Sequence, residues 1–221
     1  ASDEGTLPIT INSVKSLQSI EYSLPVASAQ VKSCLMLAGL FAEGETRIKE
    51  NVITRDHTEK IFLEFGIPIE IFSEKTFKTI CVNKIQRIEP KDIRVPGDFS
   101  SASFFILAAL ICPNSFLRLN NVGINDTRIG FLHALRNMGA NIDLINQKDT
   151  PEPIADILVK TSVLKGITLD TALVANMIDE MPAFFIAAAL AEGMTIVKDA
   201  KELRTKESDR LQAMADSLNA F

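Results

Sequence analysis

Apolar runs and polar clusters succeed each other along this chain in a pattern that repeats three times. The segments Ser33–Ile48, Ser103–Leu119 and Pro182–Val197 align, and Ala42-Glu43-Gly44 recurs as Ala191-Glu192-Gly193. Each copy opens on a polar cluster: Ala27–Gln30, Gly97–Ser101 or Ile178–Pro182. An Ala- and Leu-rich stretch follows, whose length and composition predict a buried helix. A Gly or Pro-Asn turn stops it. Alternating residues then predict strands at Thr46–Lys49, Phe116–Leu119 and Thr195–Lys198. A polar loop leads into a second, amphipathic helix. Asp56 and Glu59 open it with capping-box spacing in the first copy. Ile129, Leu132, Leu135 and Met138 recur at steps of three in the second, before a C-cap at Gly139. Leu211, Met214, Ala215 and Leu218 form one stripe in the third. Pro68–Phe72 and Asn141–Ile145 predict closing strands, and Leu7–Ile11 and Ile20–Leu24 predict opening ones. The reading is an α/β protein built of strand–helix–strand–helix–strand copies. The third copy reaches Phe221 without its closing strand, so the sequence reads as a stretch of a longer repeat protein. Asn83–Asp92 is polar and broken by Pro90, which places a crossover there and a division into residues 1–90 and 91–221.

Composition narrows the function. The 221 residues are 47% hydrophobic, enough for one or two sizeable cores. Acids outnumber bases 28 to 23 and the pI is about 5.2, which argues against a nucleic-acid partner. No uninterrupted apolar run is long enough to span a membrane. The opening Ala1–Gly5 is polar and acidic, unlike a signal peptide. Cys34, Cys81 and Cys112 lie far apart in apolar surroundings, which predicts buried thiols in a reducing cytoplasm rather than a zinc site or disulfides. Only His57 and His133 are present. The first reads as a partly exposed loop or helix-start residue and the second as structural, so no metal centre is expected. Walker, GxGxxG, HExxH and GxSxG patterns do not occur.

Candidate chemistry sits in the polar clusters. Each precedes an apolar helix, whose N-terminus offers unpaired N–H groups and partial positive charge. Such tips suit phosphate or carboxylate, although Ser and Asp there are ordinary caps when one cluster is taken alone. Superposing the copies places Gln30 and Asp179 at the same point. Leu203–Arg210 packs three bases and two acids into eight residues. Lys206 and Arg210 stand at i and i+4, on one face if helical, with Glu207 beside them. Two cations converging there would attract an anion, and a carboxyl kept protonated by burial could act as a general acid. An internal ion pair on a solvated helix start is the plainer alternative. Thr54–Lys60 and Asn125–Arg128 are similarly charged at equivalent positions, so each copy is expected to send a polar loop to a shared cleft.

Five motifs, in order, carry a resemblance: Leu24–Ser33, Thr54–Glu59, Pro96–Ser103, Ile178–Pro182 and Leu203–Arg210. From about residue 7 to its end the chain resembles 5-enolpyruvylshikimate-3-phosphate synthases, in the bacterial form typified by glyphosate-tolerant enzymes. The resemblance implies repeated βαβαββ units of a two-lobed enolpyruvyl transferase fold, an inside-out α/β barrel, present here in part. Residues 1–90 would hold the last unit of one lobe plus the crossover, and 91–221 the incomplete second lobe. It further implies transfer of the carboxyvinyl group of phosphoenolpyruvate to the 5-hydroxyl of shikimate 3-phosphate, with release of phosphate and no metal or organic cofactor. A cytoplasmic monomer is implied, with no nucleic-acid or membrane partner.

Carried onto this sequence, Ser28, Ala29 and Gln30 match the phosphoshikimate cluster, with Gln30 also near phosphoenolpyruvate. Arg55 and Lys206 match further phosphoshikimate contacts, and Arg210 a phosphoenolpyruvate-binding arginine. Asp179 matches the carboxylate that takes the 5-hydroxyl proton, and Glu207 the donor to the methylene carbon. Glu180 is the competing carboxylate, expected to point away because neighbouring side chains alternate in direction. The family's Asn-Ala-Gly-Thr loop, early Lys-Ser motif and late Asp-His-Arg motif are missing, so the chain alone is expected not to turn over. The alternatives are an enolpyruvyl transferase acting on UDP-N-acetylglucosamine, which would need an activated cysteine, and a non-catalytic repeat domain.

Overall fold

The computed structural model describes residues 8–74, 77–149 and 151–221. The chain divides into two compact units, one of Ala1–Ile53 with Phe62–Pro90 and one of Thr54–Ile61 with Lys91–Phe221.

The first unit runs β1 (Leu17–Gln18), β2 (Glu21–Ser23), α1 (Ala29–Gly39), β3 (Ala42–Glu43), β4 (Glu45–Glu50), α2 (His57–Glu64, divided between the units), β5 (Ile69–Ser73) and β6 (Lys78–Asn83). Its main sheet has the order β2-β4-β6-β5, with β2 parallel to β4 and β6 antiparallel to both neighbours. Periodicity gives no sign of β6. Ile80, Cys81 and Val82 are all buried, so both faces are apolar and nothing alternates. This strand turns the five-element reading into βαβαββ. Met36 of α1 and Leu40 just after it pack with Leu24, Ile48, Phe62, Ile67, Ile80 and Val82 to form the core. Lys32 of α1 and Glu50 of β4 pair at 2.9 Å with both side chains fully shielded.

The opening strand expected at Leu7–Ile11 is not formed over its described residues 8–11. Leu7 and the acidic opening lie outside the described residues, and residues 8–11 are irregular and exposed, so no burial rewards pairing.

The second unit holds α3 (Phe99–Ile111), β7 (Phe116–Gly123), α4 (Gly130–Asn137), β8 (Asn141–Lys148), β9 (Ile154–Lys160), α5 (Thr171–Asn176), α6 (Met181–Ala189), a 3-10 turn (Lys201–Thr205) and α7 (Arg210–Ala220). The antiparallel order β7-β9-β8 repeats β4-β6-β5, and the parallel first strand shrinks to a bridge between Gly97 and Val122. The turn after each apolar helix is built alike. Gly44, Asn114 and Gly193 adopt φ of 92°, 57° and 91°, a region that Gly enters freely and Asn tolerates.

Both edge strands of the second sheet bulge where Asn121 and Asn146 take positive φ. Asp156 on β9 ties the two together. It accepts from the Asn121 N–H at 2.8 Å, the Asn146 amide at 2.8 Å and the Arg118 guanidinium at 2.7 Å. These bonds, that from Asn146 first, pull its pKa down to about 2.

The core gathers Ile106 and Leu110 of α3, Phe131, Leu132 and Leu135 of α4, Ile157 and Val159 of β9, and Phe184 of α6. Each such fully buried side chain contributes about 1.5–3 kcal/mol.

Three expectations need correction. The strand at Thr195–Lys198 is reduced to a bridge between Ile196 and Thr168. In the other copies this strand is held on its far edge by β6 or β9, and no counterpart stands beside it among the described residues. The apolar helices are not buried all round: Val31 and Leu37 of α1 and Phe104 and Phe105 of α3 are exposed. A helix apolar on every side needs two neighbours, and the sheet covers one face. For the same reason Cys34 and Cys112 are exposed and only Cys81 is buried. Burial pushes the Cys81 thiol up.

Among the described residues no helix is long and apolar enough to cross a membrane, and no cluster of His, Cys, Asp and Glu could hold a metal ion.

Candidate active site

The second unit brings three arginines onto one carboxylate. Asp179 lies in the turn between α5 and α6, where the Glu180 N–H donates to the Met177 carbonyl at 2.9 Å. Arg55 stands two residues before α2 and donates to Asp179 Oδ2 at 2.6 Å. Arg128, from the loop before α4, reaches the same oxygen at 3.1 Å. That loop is held by Asn125, whose side-chain Oδ1 accepts from the Thr127 N–H at 3.0 Å and hydroxyl at 2.7 Å. Arg210, the first residue of α7, approaches Oδ1 at 3.5 Å and donates to the Ile178 carbonyl at 3.2 Å. A cation at a helix N-terminus opposes the macrodipole by about 0.3–1 kcal/mol. Its presence there marks a residue kept for something other than helix stability.

Burial pushes the Asp179 carboxyl up. Arg55 and then Arg128 more than reverse this through hydrogen bonds and charge, leaving its pKa below the ordinary value. Asp179 is therefore ionised at neutral pH.

Glu180 corrects the sequence reading. It faces the same cluster: its Oε1 accepts from the Ser100 hydroxyl, which in turn accepts from Arg128 Nη2, and it lies 3.6 Å from Arg128 Nη1. Alternation of side-chain direction belongs to strands, and residues 177–180 form a turn. Glu180 is fully buried. Burial raises its pKa by more than Ser100 and Arg128 lower it. Ser100 and Arg128 were visible as members of polar clusters, and nothing in their spacing marked them individually.

Glu207 and Lys206 also depart from expectation. Glu207 is 68% exposed and clasped by Arg210 through two bonds of 2.9 Å. Those bonds lower its pKa, so burial does not keep it protonated. Lys206 and Arg210 do not share a helix face, because α7 begins only at Arg210, where Asp209 caps it by accepting from the Gln212 N–H at 3.0 Å. Lys206 sits in extended backbone ahead of it and pairs with Glu202.

Arg55, Asp179, Glu207 and Arg210 thus come together, and Lys206 is not bonded into their cluster. Ser28, Ala29 and Gln30 lie in the first unit, at the tip of α1, where Ser28 caps the helix by accepting from the Val31 N–H at 3.3 Å. Gln30 is exposed there. His57 begins α2 as a part-exposed residue, its Nδ1 2.9 Å from Glu152. His133 lies within α4 and is half-buried.

The family model described as EPSP synthase (3-phosphoshikimate 1-carboxyvinyltransferase) matches residues 1–221. The 3-phosphoshikimate 1-carboxyvinyltransferase of Legionella pneumophila (strain Lens) is 48% identical over 219 residues, covering 99% of this chain and 50% of the relative. That of Ruthia magnifica is 49% identical, with 99% and 49% covered. The EPSP synthase structure from Acinetobacter baumannii superposes with a TM-score of 0.86 at 46% identity, over 99% of this chain and 49% of that one. The enolpyruvyl transferase NikO from Streptomyces tendae shares the fold, with a TM-score of 0.65 at 16% identity over 84% of this chain and 45% of that one. The chain spans about half the length of the curated relatives it matches.

Proposed function

Because this chain belongs to the EPSP synthase family, we propose that it supplies part of the active site of a 3-phosphoshikimate 1-carboxyvinyltransferase. In this reading the whole protein moves the carboxyvinyl group of phosphoenolpyruvate to the 5-hydroxyl of shikimate 3-phosphate and releases phosphate. It works as a cytoplasmic monomer without metal or organic cofactor, and neither nucleic acid nor membrane takes part.

The observation that carries the proposal is the grip of Arg55, Arg128 and Arg210 on Asp179. With Glu180, Glu207 and the more distant Asp98 counted, three guanidiniums face four carboxyl groups. An incoming anion must therefore win its bonds by exchange. A substrate phosphate or carboxylate takes over donors that now point at Asp179 and Glu207, and guanidinium forks suit both groups. Relieved of those donors, Asp179 becomes more basic and accepts the proton of the 5-hydroxyl as its oxygen attacks phosphoenolpyruvate. When Arg210 turns to phosphoenolpyruvate, Glu207 loses the charge that holds it ionised. It then takes up a proton and passes it to the methylene carbon, giving a tetrahedral adduct. In the elimination that follows, the resulting methyl group returns one proton to Glu207 as the C–O bond to phosphate breaks, which restores the vinyl double bond. Arg55, Lys206, Ser28, Ala29 and Gln30 bind the phosphoshikimate side, Gln30 also lying near phosphoenolpyruvate. Charge placed before the addition step lowers its barrier.

The test is phosphate release by the full-length protein. Shikimate 3-phosphate should support turnover and UDP-N-acetylglucosamine should not. Asp179→Ala and Glu207→Ala should each lower kcat by about 10²- to 10⁴-fold, the range for general acid–base groups. Full activity in both variants would refute the assignment. The isolated 221-residue chain should form no product.

A further inference from the structure

Glu180 has no part in the transfer described above, yet it is buried completely beside the proposed base. From that position it cannot touch a substrate. It occupies the N-cap position of α6, but its side chain makes no capping bond, so capping does not account for it. A buried carboxylate is costly unless its bonds matter elsewhere.

Its bonds lead to Arg128. A hydroxyl has one proton to give and two lone pairs. Ser100 gives its proton to Glu180 Oε1 and accepts from Arg128 Nη2. A guanidinium is a rigid planar fork, so holding Nη2 aims Nη1, which lies 3.1 Å from Asp179 Oδ2 and 3.6 Å from Glu180. The charged groups around the pair are Arg55 ahead of α2, Asp98 at the start of α3 (4.0 Å from Arg128 Nη2), Arg128 itself, Glu207 just ahead of α7 and Arg210 of α7. Within this set the Ser100 hydroxyl, held by Glu180, makes the hydrogen bond to Nη2, and Asp98 adds charge at longer range.

We infer that Glu180 is a positioning residue: acting through Ser100, it orients Arg128 so that the Asp179 carboxylate is held in one direction and one charge state. The inference rests on Asp179 being the base of the proposed transfer.

The test uses the full-length protein with Ser100→Ala, Glu180→Ala, the double variant, and Glu180→Gln, whose amide oxygen still accepts from Ser100. A misaimed catalytic group costs up to about a hundredfold. Ser100→Ala and Glu180→Ala should each lower kcat about ten- to hundredfold with the KM of both substrates nearly unchanged. The double variant should lose no more than either single one, because all three break one chain. Glu180→Gln should recover activity to within a few fold. Ser100→Ala changes no charge, so its loss of Arg128 should move the acid limb of the kcat/KM profile to higher pH. Additive losses, equal losses in Glu180→Gln and Glu180→Ala, or an unmoved acid limb in Ser100→Ala would each overturn the inference. Ser100 is half-buried, so its variant stands even if Glu180→Ala fails to fold. If the wild-type protein does not transfer a carboxyvinyl group, the proposed function falls by itself. Carbon-13 NMR titration of the Asp179 carboxyl in Ser100→Ala then decides the positioning role separately, and an unmoved titration refutes it.

Discussion

Replacing Lys32 by Met should strongly destabilise the first unit. Lys32 Nζ and Glu50 Oε2 lie 2.9 Å apart with both side chains at 0% exposure. At an effective dielectric near 20, charges at that distance attract by about 6 kcal/mol. Much of this offsets the desolvation of the two ions, so the intact pair contributes little net stability. Removing one partner is a different matter, because the other stays buried without the opposite charge that faced it. Lys32→Met and Glu50→Gln should each cost about 3–5 kcal/mol, whereas Lys32→Met with Glu50→Leu should stay close to wild type. Tyr22 of β2 is the single tyrosine and the chain has no tryptophan, so tyrosine fluorescence reports on this unit. With a urea slope of about 1 kcal/mol/M for so small a unit, the midpoint should fall by about 3 M or more in either single variant. A shift under about 1 M in both, or a double variant as weak as the singles, would refute the account of the pair.

Three further outcomes follow from other parts of the chain. Asp156 is held well below its unfolded value, so its contribution is present above pH about 4 and is lost as pH falls toward about 2. Asp156→Asn should lower stability at pH 7 and flatten the acid limb of an unfolding-versus-pH series; an unchanged slope would count against it. A Cβ on Gly130 would meet the Leu173 carbonyl oxygen at 2.9 Å and Asn176 at 3.0 Å, so Gly130→Ala should cost about 1–3 kcal/mol in denaturant unfolding. Cys34 and Cys112 are exposed and Cys81 is buried, so an aromatic disulfide reagent should titrate two thiols in the native chain and the third only after denaturation.

The repeat and its helices were legible because the second helices alternate between wet and dry faces, and because Gly44, Asn114 and Gly193 punctuate the copies. What escaped were strands without alternation. In β6 the residues Ile80, Cys81 and Val82 are all buried, and in β9 Ala155, Asp156 and Ile157 are too, so neither shows the wet–dry alternation that marks a strand. In the site, superposing the copies singled out Asp179. Arg210 stood out as one of three bases in a charged segment, but the helix face it was to share with Lys206 does not exist, since the Asp209 cap delays α7. Glu180 was misdirected by applying a strand rule to a turn. Arg128 was hidden because its partners, Ser100 and Asp179, are brought to it from far along the chain by packing. Expecting a buried, protonated Glu207 failed because spacing says nothing of exposure, and its neighbour Arg210 faces it through solvent-accessible bonds.

The anchoring of Asn121 and Asn146 on one aspartate has a bearing on how this sheet can change over generations. Both margins of the three-stranded sheet take their registration from the same central side chain. Trimming the extra residue from one margin would leave that anchor half engaged and swing the inward-facing residues of that margin outward. The two margins can lengthen or shorten only as a couple, which makes this three-stranded sheet a poor place for tolerated insertions and a dependable frame for the loop that delivers Arg128.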